Sequence, residues 1–222
     1  MKLATVVCVL GVAGCLLGSR TGIPWFGPVS KMVASCAFIT VALLGGGLRS
    51  PYGYGIVIGL IFSWWGDLFL ISGSPKIFLA GLIAFFLAHV SYCLAFALRG
   101  ISAGWTLGTL AILAVPVLLI LIWLNPHLGD MRIPVYAYIA IITLMVALAG
   151  GTVGKYGVPL ILVGAVLFYV SDICVARQRF VSPGMINPLI GLPLYYAGQL
   201  VLAWTTAMGG SGIGYRVPGI EE

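Results

Sequence analysis

From Leu3 to Met208 the chain is a succession of apolar runs, each ended by a short stretch bearing Gly, Pro, Ser or Asn. The runs lie close to the ~20 residues that a bilayer-crossing helix needs. They do not alternate in polarity, so membrane β-strands are excluded. Helices remain as the structure that satisfies its own backbone in lipid. Composition agrees: 61% of the 222 residues are hydrophobic and only 7% are charged, against about a quarter in a soluble domain. So few charges cannot cover a surface facing water. The 31 glycines, costly in soluble helices, let membrane helices approach closely. The formal charge of +6 is scattered singly between apolar runs, as interfacial anchors are, and suggests no nucleic-acid partner.

The spacing predicts an all-α, polytopic integral membrane protein of about eight transmembrane helices, at about 3–18, 29–48, 53–72, 76–98, 103–124, 132–150, 155–175 and 187–208. At 1.5 Å per residue each spans, or nearly spans, a ~30 Å hydrocarbon core. Breakers such as Ser50-Pro51, Gly73-Ser74-Pro75, Asn125-Pro126 and Ser182-Pro183-Gly184 separate them. No linker divides the chain. Residues 1–208 are therefore expected as a single transmembrane domain and 209–222 as a flexible C-terminal tail. Lys2 with Leu3 to Leu17 resembles a signal peptide, but the many spans that follow make it a first transmembrane helix. Basic residues are shared almost evenly between the two sides, so orientation is not set. A multi-pass protein of the bacterial inner membrane is expected, with membrane lipids as neighbours and an oligomeric state the sequence leaves open.

Cys8, Cys15, Cys36, Cys93 and Cys174 all lie in apolar runs and lack paired ligand spacing. They read as small packing residues. His127 is the one histidine besides His89, and a zinc site takes three or four protein ligands, so a histidine-rich zinc hydrolase is not expected.

Of five acidic residues, only Asp67 and Asp172 lie inside apolar runs. A carboxylate at such depth costs ~2.5 kcal/mol or more and persists when a cavity or partner solvates it. Asp67 lies five residues before Ser72, and Asp172 five before Arg177. Their spans run in the same direction, so both carboxyls are expected ~7 Å inside one membrane face. Two acids enclosed in one low-dielectric chamber do not both ionise readily. A neutral acid beside an ionised one is an arrangement that hydrolysis uses. The structural alternative is that each acid bonds a neighbouring helix or a cation such as Arg177.

His89 and Tyr92 share a helix face, as do Tyr195, Tyr196 and Gln199. They are candidate cavity residues, with Asn187 at the mouth. Lys31, Arg177 and Arg179 stand at span ends on the aspartates' side and are candidates for a lipid phosphate. Snorkelling is their structural alternative.

Four segments carry a resemblance. Ser63-Trp64-Trp65-Gly66-Asp67-Leu68-Phe69-Leu70 is similar to a G-D-x-x-L motif, and Ala88-His89-Val90-Ser91-Tyr92 to A-H-x-x-Y. Tyr169-Val170-Ser171-Asp172 with Arg179-Phe180 downstream, and Tyr195-Tyr196-Ala197-Gly198-Gln199, resemble an S-D segment and a Y-Y-x-x-Q segment. In this order, from about Lys31 to Trp204, the chain resembles the YhhN-like lysoplasmalogenase family. It departs at Met32, where the family often has proline. The resemblance implies an eight-helix hydrolase that cleaves the vinyl ether bond of lysoplasmalogens, giving a fatty aldehyde and glycerophosphoethanolamine or glycerophosphocholine. It implies a lysophospholipid substrate, Asp67 and Asp172 as the catalytic pair, and His89, Tyr195, Tyr196 and Gln199 in the pocket.

Vinyl ether hydrolysis needs a proton for the carbon beta to oxygen, a water for the alpha carbon, and stabilisation of positive charge between the two steps. Asp172 as acid and Asp67 as water activator would supply these without a metal or organic cofactor. Two rivals use the same residues. An intramembrane aspartyl protease also has two buried aspartates, but Trp64 breaks its G-x-G-D pattern. A proton-coupled transporter or lipid-binding protein would use the acids to carry protons or ions.

Overall fold

The computed structural model describes residues 1–21 and 23–209. The stretch 210–222, most of the expected tail, lies outside the described residues. Among these the chain is all-α, with eight long helices: α1 (Lys2–Thr21), α2 (Phe26–Leu44), α3 (Pro51–Phe69), α4 (Pro75–Arg99), α5 (Ala103–Leu124), α6 (Arg132–Tyr156), α7 (Leu160–Ala176) and α8 (Ile186–Gly209). Two 3₁₀ turns, Asn125–His127 and Gly129–Met131, join α5 to α6, and a π-turn, Arg177–Val181, extends α7.

Six of these helices, α2 and α4 to α8, are long and apolar enough to cross a membrane. In α1 the apolar stretch is the shorter Lys2–Gly18. In α3 many positions go to Tyr52, Tyr54, Trp64, Trp65, Asp67 and glycines, which lower its hydropathy.

α2, α3, α4, α6, α7 and α8 close into a ring in which each helix packs on the next, and α3 and α8 also meet across it. α1 lies outside on α2 and α8, and α5 lies outside on α6. Side-chain polarity is the reverse of a soluble bundle. Leu107, Ile112, Val115, Leu118 and Ile122 on α5 point outward and exposed, while Ser35, Ser63, Asp67, His89 and Gln199 are buried. Lipid on the outside accounts for both.

Small residues set how tightly the ring closes. A Cβ on Gly198 of α8 would stand 2.9 Å from the carbonyl oxygen of Gly164 on α7, and one on Gly59 of α3 would overlap the ring of Tyr92 on α4. Any larger residue there would push the helices apart.

The helix boundaries differ from the expected 29–48 and 132–150 beside glycines, and in opposite senses. α2 ends at Leu44 because the chain turns at Gly46 with φ +86°. α6 runs on to Tyr156 through Gly150 and Gly151, whose missing side chains leave room for Thr109 and Thr106 of α5. These two glycines serve packing and do not end the helix.

Candidate active site

Every helix of the ring presents a polar side chain to its interior. On α3, Ile56, Leu60, Ser63 and Asp67 follow one another at three- and four-residue steps and are all buried, as a single inward face requires. On α4 the face is Phe85, His89, Tyr92 and Phe96. A cavity of about 480 Å³ has both Asp67 and Asp172 on its wall; of these two faces Asp67 and Phe85 reach it, while Ser63, His89 and Tyr92 are buried outside it. Its polar wall is completed by Lys31, Tyr138, Tyr169 and Tyr195. Ile120 and Leu124 of α5 with Val135, Ile139 and Ile142 of α6 form an apolar side, and Ser72, Gln178, Arg179 and Asn187 lie where helices end.

The two acids have unlike surroundings. Asp67 meets three donors: Lys31 Nζ stands 3.1 Å from Oδ1, while the Ser35 hydroxyl (2.6 Å) and the Tyr195 hydroxyl (2.8 Å) donate to Oδ2. Ser35 Oγ also lies 3.0 Å from the Tyr196 hydroxyl, which donates to the Lys31 carbonyl at 3.1 Å. Asp172 accepts from the Tyr138 hydroxyl at 2.6 Å and faces His89 Nε2 at 3.9 Å. Between the two acids stand aromatic rings: Phe168 packs on His89 and on Tyr195 at centroid distances of 4.6 and 5.3 Å.

The remaining candidate residues fall into three places. Tyr92 donates to Gln199 Oε1 at 2.7 Å, and Gln199 Nε2 donates to Ser63 Oγ at 2.9 Å. This closed network ties α3, α4 and α8 together. Tyr92, Tyr196 and Gln199 are fully buried behind the cavity wall rather than on it, so of the Y-Y-x-x-Q segment only Tyr195 lines the cavity. Arg177 donates to Asn187 Oδ1 at 2.6 Å, and Asn187 donates to Gln178 and to the Ser182 carbonyl. These bonds pin the π-turn. Arg179 reaches the cavity wall, its guanidinium 4.5 Å from the centre of the Phe78 ring.

The three basic candidates therefore separate. Lys31 is paired with Asp67 and Arg177 braces the loop, which leaves Arg179 as the wall cation with no carboxylate partner among the described residues. The cation that Asp67 takes is Lys31 and not Arg177.

Sequence reasoning did not single out Ser35 or Tyr138, and it held Ser63 and Tyr169 only as members of the motif segments, with no role. Ser35 and Ser63 carry little local signal, since serine is ordinary in membrane helices. Tyr138, beside Tyr136 near the start of α6, looks like an interfacial aromatic. Its position one helical repeat from the apolar Ile142 and Val135 is the one hint that it faces inward.

An all-helical, multi-pass membrane bundle with acids on the wall of an internal, largely apolar cavity is the class of protein these features define. The model of the YhhN family matches residues 26–206, and the chain belongs to that family. It is 32% identical over 175 residues to lysoplasmalogenase TMEM86A of Bos taurus, covering 75% of this chain and 70% of the relative. It is 34% identical over 196 residues to lysoplasmalogenase TMEM86B of Homo sapiens, covering 85% and 78%. With relatives of that name over most of its length, the chain is a lysoplasmalogenase-like membrane enzyme. No solved structure gives a significant match.

Proposed function

We propose that this enzyme hydrolyses the vinyl ether bond of lysoplasmalogens, releasing a fatty aldehyde and glycerophosphoethanolamine or glycerophosphocholine. The observation that carries this function is one cavity with two acids in unlike surroundings on its wall, Asp67 met by Lys31, Ser35 and Tyr195 and Asp172 by Tyr138 and His89. In this mechanism Asp172 donates a proton to the alkenyl carbon beta to oxygen. The Asp67 carboxylate stabilises the oxocarbenium ion and orients the water that adds at the alpha carbon. The hemiacetal then collapses to aldehyde and alcohol. The apolar side formed by α5 and α6 takes the alkenyl chain, and the helix-end groups take the glycerophospho headgroup. The protein acts on lipid from within a helical membrane, the inner membrane in a bacterial host, where barrels do not serve.

Mass spectrometry of products tests the chemistry. Purified protein in detergent should release aldehyde from a lysoplasmalogen and leave the saturated ether analogue intact, because without the double bond there is no carbon to protonate. Equal cleavage of an ester analogue, or no aldehyde at all, refutes the vinyl ether assignment.

Arg179 is the headgroup cation in this scheme. Arg179→Met should raise KM by about 10-fold or more, the worth of a charge-assisted hydrogen bond of ~1.5 kcal/mol or above, with kcat little changed. An unaltered KM for the phospholipid would move the headgroup elsewhere.

A further inference from the structure

The two ring nitrogens of His89 have distinct roles. Nδ1 lies 2.6 Å from the Phe85 carbonyl oxygen, one turn earlier on α4. A carbonyl oxygen only accepts, so Nδ1 carries the hydrogen, and in the neutral ring Nε2 is left with a lone pair. Nε2 is buried and receives no hydrogen bond from the protein. Phe168, Tyr138 and Tyr92 surround the ring at centroid distances of 4.6, 5.2 and 6.5 Å. The polar atom it faces is Asp172 Oδ2, at 3.9 Å, the same oxygen that takes the Tyr138 hydrogen.

Were Asp172 a carboxylate, two lone-pair atoms would face each other in an aromatic shell with no hydrogen between them. A buried acceptor left unsatisfied costs ~1–3 kcal/mol. A hydrogen on Oδ2 removes the conflict, since a carboxylic hydroxyl accepts from Tyr138 and donates toward Nε2. The separation is longer than a formed hydrogen bond, so the bond forms only when the Asp172 carboxyl turns toward Nε2. Splitting the pair into imidazolium and carboxylate would bury two ions in the same shell, which is the costlier state. Asp67 cannot offer the same partnership. Lys31, Ser35 and Tyr195 meet its oxygens, and each carries a hydrogen it can donate, whereas His89 Nε2 is confined to accepting in the neutral ring.

We propose that the catalytic proton is stored on Asp172 against His89 Nε2, and is not shared between the two aspartates. His89 is then a positioning residue. In the reaction the O–H bond of Asp172 breaks as a C–H bond forms at the alkenyl carbon, with the π electrons of the double bond supplying the pair. Asp172 is left as a carboxylate and the positive charge lies on the ether oxygen and alpha carbon. Water adds at the alpha carbon and returns one proton to Asp172, again directed toward Nε2. Hemiacetal collapse moves the hydroxyl proton to the departing ether oxygen, so the cycle closes with Asp172 protonated. Within this mechanism His89 restores the acid to its starting position after each turnover.

The catalytic meaning of this pair rests on the vinyl ether assignment, but its existence is measurable without substrate. Infrared difference spectroscopy of the full-length protein in detergent, with labelled aspartate, reads the C=O stretch of a protonated carboxyl. The expected result is a band present in the wild type, lost in Asp172→Asn, kept in Asp67→Asn and moved in His89→Asn. Absence of the band, its loss in Asp67→Asn, or its indifference to His89→Asn overturns the proposal.

Kinetics supplies a second readout. His89→Asn keeps the Phe85 bond through its amide nitrogen but removes the acceptor at Nε2, and should lower kcat by about 100-fold with little change in KM. His89→Gln places an amide oxygen near the Nε2 position and should recover part of that loss. Equal loss in both variants, with the band unmoved, marks a merely structural role. A protein that shows the band but leaves lysoplasmalogen intact would refute the substrate and keep the proton pair.

Discussion

Asp172→Asn is expected to abolish turnover while the bundle stays folded. Asparagine has nearly the same shape, and its amide oxygen still accepts the Tyr138 hydrogen that Asp172 takes at 2.6 Å. The neighbouring rings keep their contacts. What disappears is the transferable proton. Without it the alkenyl carbon has no donor on this part of the wall, and aldehyde release should fall by about 10³-fold or more, within the range for a lost general acid. Thermal unfolding in detergent should change little, because a neutral amide replaces a group proposed to be neutral. Both outcomes are needed. Retained turnover would place the acid elsewhere, and a large fall in the unfolding midpoint would show that Asp172 is chiefly structural.

Lys31→Met is the substitution expected to cost most in stability. Lys31 and Asp67 form an ion pair at 3.1 Å, with side chains 12% and 2% exposed. Removing one member of a buried pair costs ~3–5 kcal/mol, because the other charge remains desolvated. The cost is asymmetric. Asp67 lies deep in the ring on a short side chain, whereas Lys31 has a long stem near the start of α2 and can extend outward once released. Lys31→Met should therefore lower the unfolding midpoint more than Asp67→Asn does. The double variant should be more stable than Lys31→Met alone, since the stranded carboxylate is gone. A double-mutant cycle measures that coupling directly. Additive effects would mean that the pair carries no net interaction. Catalysis should fall in both single variants, because the mechanism relies on Asp67 as an anion.

The membrane assignment and the helix pattern were open to local reasoning. Hydropathy is a sum over neighbouring residues, and six of the helices satisfy it outright. The two intramembrane acids were legible for the same reason, as isolated costs in otherwise apolar runs. The end of α6 was not legible beyond 150, because a glycine pair looks alike whether it ends a helix or admits a neighbour's threonine. Lys31, Arg177 and Arg179 look alike in sequence as basic residues at span ends, yet one neutralises an acid, one braces a turn and one reaches the cavity wall.

Sequence alone determined that this chain is an all-helical membrane protein with two acids costly enough to need an explanation, because both properties depend on composition within a single span. Only the tertiary structure decided that Asp67 belongs with Lys31, Ser35 and Tyr195 and Asp172 with Tyr138 and His89. Tyr195 is 128 residues from Asp67, and Tyr138 is 34 from Asp172. No local pattern encodes partners so far apart; they meet because glycine-lined helices close into a ring whose polar faces all turn inward.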